Sequence, residues 1–143
     1  MTLLDHTIVN ASDADSSATF LTEILGLPAP QRLGPFALVR VGATTTLDFT
    51  AVDGPVHPQH YAFLVTEASF DSIFERIRDR DLPFWADPHQ TEPGVINTWD
   101  GGRGIYFEDP NGHLLEAITR SYGTGGSTTV HPHPLVNADE RKG

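Results

Sequence analysis

The chain has 143 residues, 38% of them hydrophobic, enough to bury the core of one compact domain. It contains no cysteine, which excludes disulfides, thiolate nucleophiles, zinc ribbons and iron–sulfur clusters. A formal net charge of −10, from 19 acidic against 9 basic residues, argues against nucleic acid as a partner, because phosphate binding relies on clustered Lys and Arg. The one lysine, Lys142, lies in the C-terminal tail, which disfavours Schiff-base chemistry. No apolar run approaches the roughly 20 residues that span a bilayer, and the first residues lack the basic region and apolar core of a signal peptide. The expectation is a cytoplasmic protein with a small-molecule partner and no membrane contact.

In chain order, residues 3–10 are rich in apolar and β-branched types and predict a strand. Ser12-Asp13 offers a helix N-cap, Phe20, Leu21, Ile24 and Leu25 one apolar face, and Gly26 followed by Pro28 a stop. Strands are predicted at 36–41 and 44–51, then a connector through Asp53-Gly-Pro-Val-His-Pro58. A strand opens at His60, followed by a helix carrying Phe70, Ile73, Phe74 and Ile77 at i, i+3, i+4, i+7. Strands at 103–109 and 113–120 complete the domain. From Gly123 the composition turns to Gly, Ser, Thr and Pro and reads as a tail, 123–143. The turn Asp109-Pro-Asn-Gly112 is a hairpin device that pairs Asp109 with His113 and sets Tyr106 opposite Glu116 on one face.

The two halves follow the same order, strand, helix, then strands ending on an acid. His6 opens the first half and Asp48 stands near its end; His60 opens the second and Glu116 stands near its end. This reads as a duplicated βαβββ module, α+β in class, with module one at about 3–52, module two at about 59–122, and one domain over 1–122. Strand alternation puts apolar neighbours opposite His60, Asp48 and Glu116, and a weaker set opposite His6. The four polar groups would then converge on one concave face. Two neutral imidazoles and one or two carboxylates suit one divalent cation of intermediate hardness, Mn, Fe, Co, Ni or Zn. His113 has the opposite parity to Glu116 and is expected to be structural. Arg120, Trp99 and Arg103 are candidate substrate contacts, Trp85 a further pocket candidate, and His57, His89, His131 and His133 are expected to be solvated or packed.

The stretch Ile105-Tyr-Phe-Glu-Asp-Pro-Asn-Gly-His-Leu-Leu-Glu116, with Leu4-Asp-His6 and His60-Tyr-Ala-Phe, resembles the vicinal oxygen chelate superfamily over residues 3–120. That superfamily includes glyoxalase I, extradiol dioxygenases, fosfomycin-resistance transferases and bleomycin-resistance proteins. The resemblance implies mixed sheets curling around a metal cavity, with His6, His60 and Glu116 as ligands. It also implies a catalytic role for Asp48, as a fourth ligand or base, and a homodimer whose active sites are shared between chains; the hairpin register separately makes Tyr106 a catalytic candidate, as a donor at the site or a substrate contact. The extradiol pattern wants a histidine separated from Ile105 by five to seven residues, where Asn97, Thr98 and Trp99 stand. The fosfomycin branch wants a threonine where Ile8 stands, and a pocket lysine. Glyoxalase-type lyase or isomerase chemistry, or thiol transfer, on a small bidentate oxygen substrate is therefore favoured. Extradiol-type dioxygenation and non-catalytic drug binding of the bleomycin-resistance type are the alternatives.

Overall fold

One strand, one helix and three strands follow each other twice along the chain. In the computed structural model, which describes residues 1–125 and 131–135, β1 (His6–Ala11), α1 (Ala14–Leu25), β2 (Gln31–Leu33), β3 (Phe36–Val41) and β4 (Thr45–Ala51) form the first set. The second is β5 (His60–Leu64), α2 (Glu67–Asp79), β6 (Phe84–Trp85), β7 (Gly104–Glu108) and β8 (Leu114–Ile118). Each set makes a four-stranded mixed sheet, in the orders β1-β4-β3-β2 and β5-β8-β7-β6. The parallel pairs β1/β4 and β5/β8 occupy equivalent places, so the duplication read from the sequence is present in the topology.

The chain divides into two compact units. The first is Met1–Gln59 with Glu108–His113, and the second is His60–Phe107 with the described residues from Leu114 on. In the first unit, α1 packs on β1, β3 and β4. Asp13 caps it, accepting from Ser16 N at 2.9 Å, and Gly26 ends it in the left-handed region at φ 69°. The buried stripe is Ala14, Ser17, Ala18, Leu21, Thr22 and Ile24, whereas Phe20 and Leu25 are only half-buried. The expected face was thus displaced toward small residues, which let the helix approach the sheet closely. Val9, Ala11, Ala37, Val39, Leu47 and Phe49 supply the sheet side of this core.

The hairpin tip between β7 and β8 belongs to this first unit. Asp109 N donates to His113 O at 3.0 Å, as the predicted register requires, and Gly112 takes φ 87°. Asn111 accepts from Ser12 N and donates to Ser17 Oγ, both at 2.8 Å. His113 is 1% exposed, with Nδ1 accepting from Gln59 N at 2.9 Å and Nε2 donating to Asn10 O at 2.8 Å, so it is structural.

In the second unit, Thr66 caps α2 through Ser69 N, and Phe70, Ile73 and Ile77 are fully buried. Burial of each of these side chains contributes about 1.5–3 kcal/mol. Arg103, just before β7, clips the helix down. It bonds Glu67 and Asp71 at 2.8 Å each and lies 4.5 Å over the Phe70 ring. β2 and β6 were absent from the sequence reading. Gln31-Arg32-Leu33 is exposed along its length, and Phe84-Trp85 is two residues long, so neither displays an alternating pattern. Among the described residues no helix is long and apolar enough to cross a membrane.

Candidate metal centre

His60 and Glu116 meet within the second unit because β5 and β8 run parallel with Ala62 beside Glu116 and His60 beside Leu114. The imidazole Nδ1 lies 2.9 Å from Leu114 O. A carbonyl oxygen only accepts, so Nδ1 carries a hydrogen, and Nε2 is the nitrogen turned to Glu116. It lies 3.1 Å from Glu116 Oε1, an ion pair when the ring is protonated and two facing acceptors when it is neutral. Two acceptors at this distance require a proton or a cation between them. Glu116 is 0% exposed, and its Oε2 has no hydrogen-bond partner, the one such buried side-chain atom among the described residues. An unpartnered buried carboxylate oxygen is costly, and buried charges are ordinarily paired or bound to metal.

These donors fit a divalent cation. Two ligands at about 2.1 Å and a right angle stand about 3 Å apart, close to the separation seen here. An imidazole whose other nitrogen donates to a backbone carbonyl is the usual arrangement of a metal-ligating histidine. Among the described residues no three His, Cys, Asp or Glu side chains gather into a metal-holding group. His60 and Glu116 thus stand as a pair rather than as a three-residue group.

The other expected groups lie on the first unit. β1 and β4 pair in parallel with His6 beside Thr46 and Ile8 beside Asp48. His6 is exposed, and its Nδ1 is bound to Asp5 Oδ2 at 2.6 Å, leaving Nε2 free of that contact. The bond to Asp5, with the charge of Asp48 behind it, raises the His6 pKa above the ordinary imidazole value. Asp48 is half-buried and accepts from Thr46 Oγ1 at 2.8 Å.

A shell of aromatic rings surrounds Glu116. Tyr106 is 1% exposed, stacks on His60 with ring centroids 6.0 Å apart, and contacts the hydroxyl of Tyr122 at 3.2 Å. Tyr122 donates to Glu116 Oε1 at 2.5 Å. Burial, then the contacts with the other tyrosine and with Glu116, push the Tyr106 pKa far up. Burial and the Glu116 bond raise that of Tyr122. Both hydroxyls therefore remain protonated donors at neutral pH. Trp99, in a short 3-10 turn, lies edge-on to Tyr106 at 6.3 Å and to His133 at 4.7 Å.

Of the expected substrate contacts, Trp99 joins this shell. Arg120 is exposed and donates to Thr124 O at 2.7 Å, and Arg103 is held in its ion pairs with α2. Tyr122 and His133 were missed by the sequence reading. Both lie at or beyond the end of the second module, in segments whose Gly, Ser and Pro content signals no packing. His133 is 4% exposed and sits against Trp99, although residues 97–99 offer no histidine of their own. No sequence signal pointed to it; only its place in the fold does.

The Glyoxalase/Bleomycin resistance protein/Dioxygenase superfamily model matches residues 3–117. Among solved structures, "Oxidase ChaP-H1" is 58% identical with a TM-score of 0.84, covering 86% of this chain and 99% of that one. "Oxidase ChaP-H2" is 54% identical with a TM-score of 0.85, covering 87% and 98%. Glutathione transferase FosA of Serratia marcescens is 31% identical over 119 residues, 79% of this chain and 77% of the relative. With its duplicated βαβββ topology and a family match across nearly the whole of both modules, the chain belongs to the glyoxalase/bleomycin resistance/dioxygenase superfamily.

Proposed function

We propose that the protein is a divalent-metal-dependent enzyme that oxidises a small substrate through two neighbouring oxygen atoms, with dioxygen as electron acceptor. The observation that carries the metal is the facing pair of His60 Nε2 and Glu116 Oε1, beside the unpartnered Oε2 of the same buried carboxylate. His60 and Glu116 would hold the ion, with His6 of the partner subunit completing the set in a homodimer. That assembly is supported by the half-set of donors on each unit and by the exposed Ile8 and Leu64 on the edge strands β1 and β5. Bound there, a divalent ion supplies a Lewis-acid centre with open positions for substrate oxygens. The chain's own residues do the rest. Leu114 O fixes the tautomer of His60, and the hydroxyl of Tyr106 stays protonated as a donor. The rings of His60 and Trp99 pack against Tyr106 beside the facing pair.

Oxidation is chosen because the two relatives named as oxidases are 58% and 54% identical over most of the chain. Thiol transfer, which the sequence favours alongside glyoxalase-type lyase or isomerase chemistry, is the second reading and is supported by the 31% identity to a glutathione transferase. The absence of any lysine before Lys142 weakens it for strongly anionic substrates. The test is metal analysis of the purified protein, then a substrate panel in iron-, manganese- and nickel-loaded forms. Oxygen uptake on a vicinal dioxygen substrate supports oxidation. Glutathione consumption without oxygen uptake supports transfer, and failure to retain any ion rejects both.

A further inference from the structure

The C-terminal segment is built into the second unit around one buried acid. Asp100 is 2% exposed, adopts φ 58°, and accepts from Gly123 N at 2.8 Å and from His133 N at 3.4 Å. Gly125 lies so close that a Cβ on it would meet the Asp100 backbone at 2.7 Å. One carboxylate thus pins the chain on both sides of the undescribed residues 126–130. Between these pins the His133 ring lies 3.8 Å from that of Tyr122, centroid to centroid, and its other side meets Trp99. His133 Nδ1 is occupied by Leu135 N at 3.1 Å, so the imidazole is held in place rather than free to turn. Tyr122 is 41% exposed as a residue, yet its hydroxyl reaches a carboxylate that is wholly buried. A surface side chain has many rotamers to choose from; this one is held against Glu116 from behind.

We infer that Tyr122, braced by His133 and the Asp100 clamp, is a positioning residue that fixes the Glu116 carboxylate for the metal. The inference rests on the reading of Glu116 and His60 as ligands. A carboxylate oxygen has two lone pairs, so the tyrosine bond on Oε1 and a metal bond to the same carboxylate coexist. The hydrogen bond restrains rotation of the carboxylate plane. Groups that orient a ligand in this way change metal affinity by about 10–100-fold when removed.

The experiment measures Mn(II) affinity by calorimetry together with the 13Cδ resonance of Glu116 in metal-free, glutamate-labelled protein. Tyr122→Phe should weaken Mn(II) binding about 10–100-fold in protein that remains folded, and should move the Glu116 resonance. His133→Ala should act in the same direction, His133→Phe should restore most of the affinity by replacing the ring, and Tyr122→Phe with His133→Ala should be no worse than Tyr122→Phe alone. Unchanged or tighter binding in Tyr122→Phe overturns the positioning role, as does an unmoved resonance. Wild-type protein that binds no Mn(II), Fe(II) or Ni(II) rejects the metal reading and the positioning role with it. The resonance then reports separately whether the Tyr122–Glu116 contact exists.

Discussion

Glu116→Gln separates a carboxylate kept for a metal from one kept for folding. If the His60–Glu116 pair were a structural ion pair, breaking it would cost about 3–5 kcal/mol. The geometry predicts a smaller loss. Oε2 makes no hydrogen bond, so replacing it by an amide nitrogen breaks none, while the remaining oxygen still accepts from Tyr122. Removing a buried charge also relieves part of its desolvation cost. The amide N–H groups at that position find no acceptor, so the metal-free variant should lose less than about 3 kcal/mol, offset in part by the charge removed. The difference appears on adding metal. A ligand that binds only the folded state at a hundredfold excess over Kd stabilises by about 2.7 kcal/mol. For a chain of this size that is a rise of about 8 °C in Tm. Wild type should show that rise with its cognate ion, and Glu116→Gln should show none. The assay is thermal unfolding by circular dichroism after exhaustive chelation, with and without Mn(II), Fe(II), Ni(II) and Zn(II). A Glu116→Gln protein destabilised by 3 kcal/mol or more without metal, or an equal metal-induced rise in both proteins, refutes the reasoning.

Asp48→Asn should leave Tm nearly unchanged, since the asparagine oxygen can still accept from the half-buried Thr46 hydroxyl; a loss of turnover of tenfold or more under steady-state assay would place it in the chemistry, and unchanged turnover would assign it to structure. Tyr106→Phe should lower turnover more than metal content, measured by elemental analysis, because its hydroxyl bonds Tyr122, which itself holds Glu116; equal losses would show it acts through the ion. Burial lowers the pKa of His133 below 6.5, against the opposing charges of Glu116 and Asp100. The unfolded chain therefore takes up the proton first, and the contribution of His133 to stability is present above pH 6.5 and falls as pH drops toward its folded pKa. Chemical denaturation of metal-free protein between pH 7.5 and 5 should show that decline, and His133→Phe should flatten it. A decline of equal slope in the variant would contradict the assignment.

Much of this architecture was legible because its signals were local. Phe70, Ile73 and Ile77 recur at helical spacing, Asp13 and Gly26 bracket α1, and Asp109-Pro-Asn-Gly112 sets the register that carries Tyr106 to the face of Glu116. His60 and Glu116 could be picked out in sequence because His60 matches His6, and Glu116 matches Asp48, in the repeated module. The inward face of α1 was misjudged because Ala14, Ser17 and Ala18 bury without looking hydrophobic. Arg103 looked like a pocket residue, since nothing near it in sequence announces Glu67 and Asp71 across the fold. Tyr122 and His133 escaped for the same reason: both depend on Asp100, a clamp more than twenty residues away from either.

The claim that a metal centre is completed by a second chain is tested most directly by counting metal in a mixed dimer. His6→Ala and Glu116→Ala are purified separately, unfolded together, refolded, and the heterodimer is isolated by two affinity tags. With sites shared between chains, one site of the heterodimer keeps the His60 and Glu116 of one subunit and the His6 of the partner subunit, and the other carries both lesions. Elemental analysis should then give one ion per heterodimer, and close to none for either parent dimer. No ion in a heterodimer of confirmed composition would contradict the shared centre, because every site would then carry one lesion within its own chain.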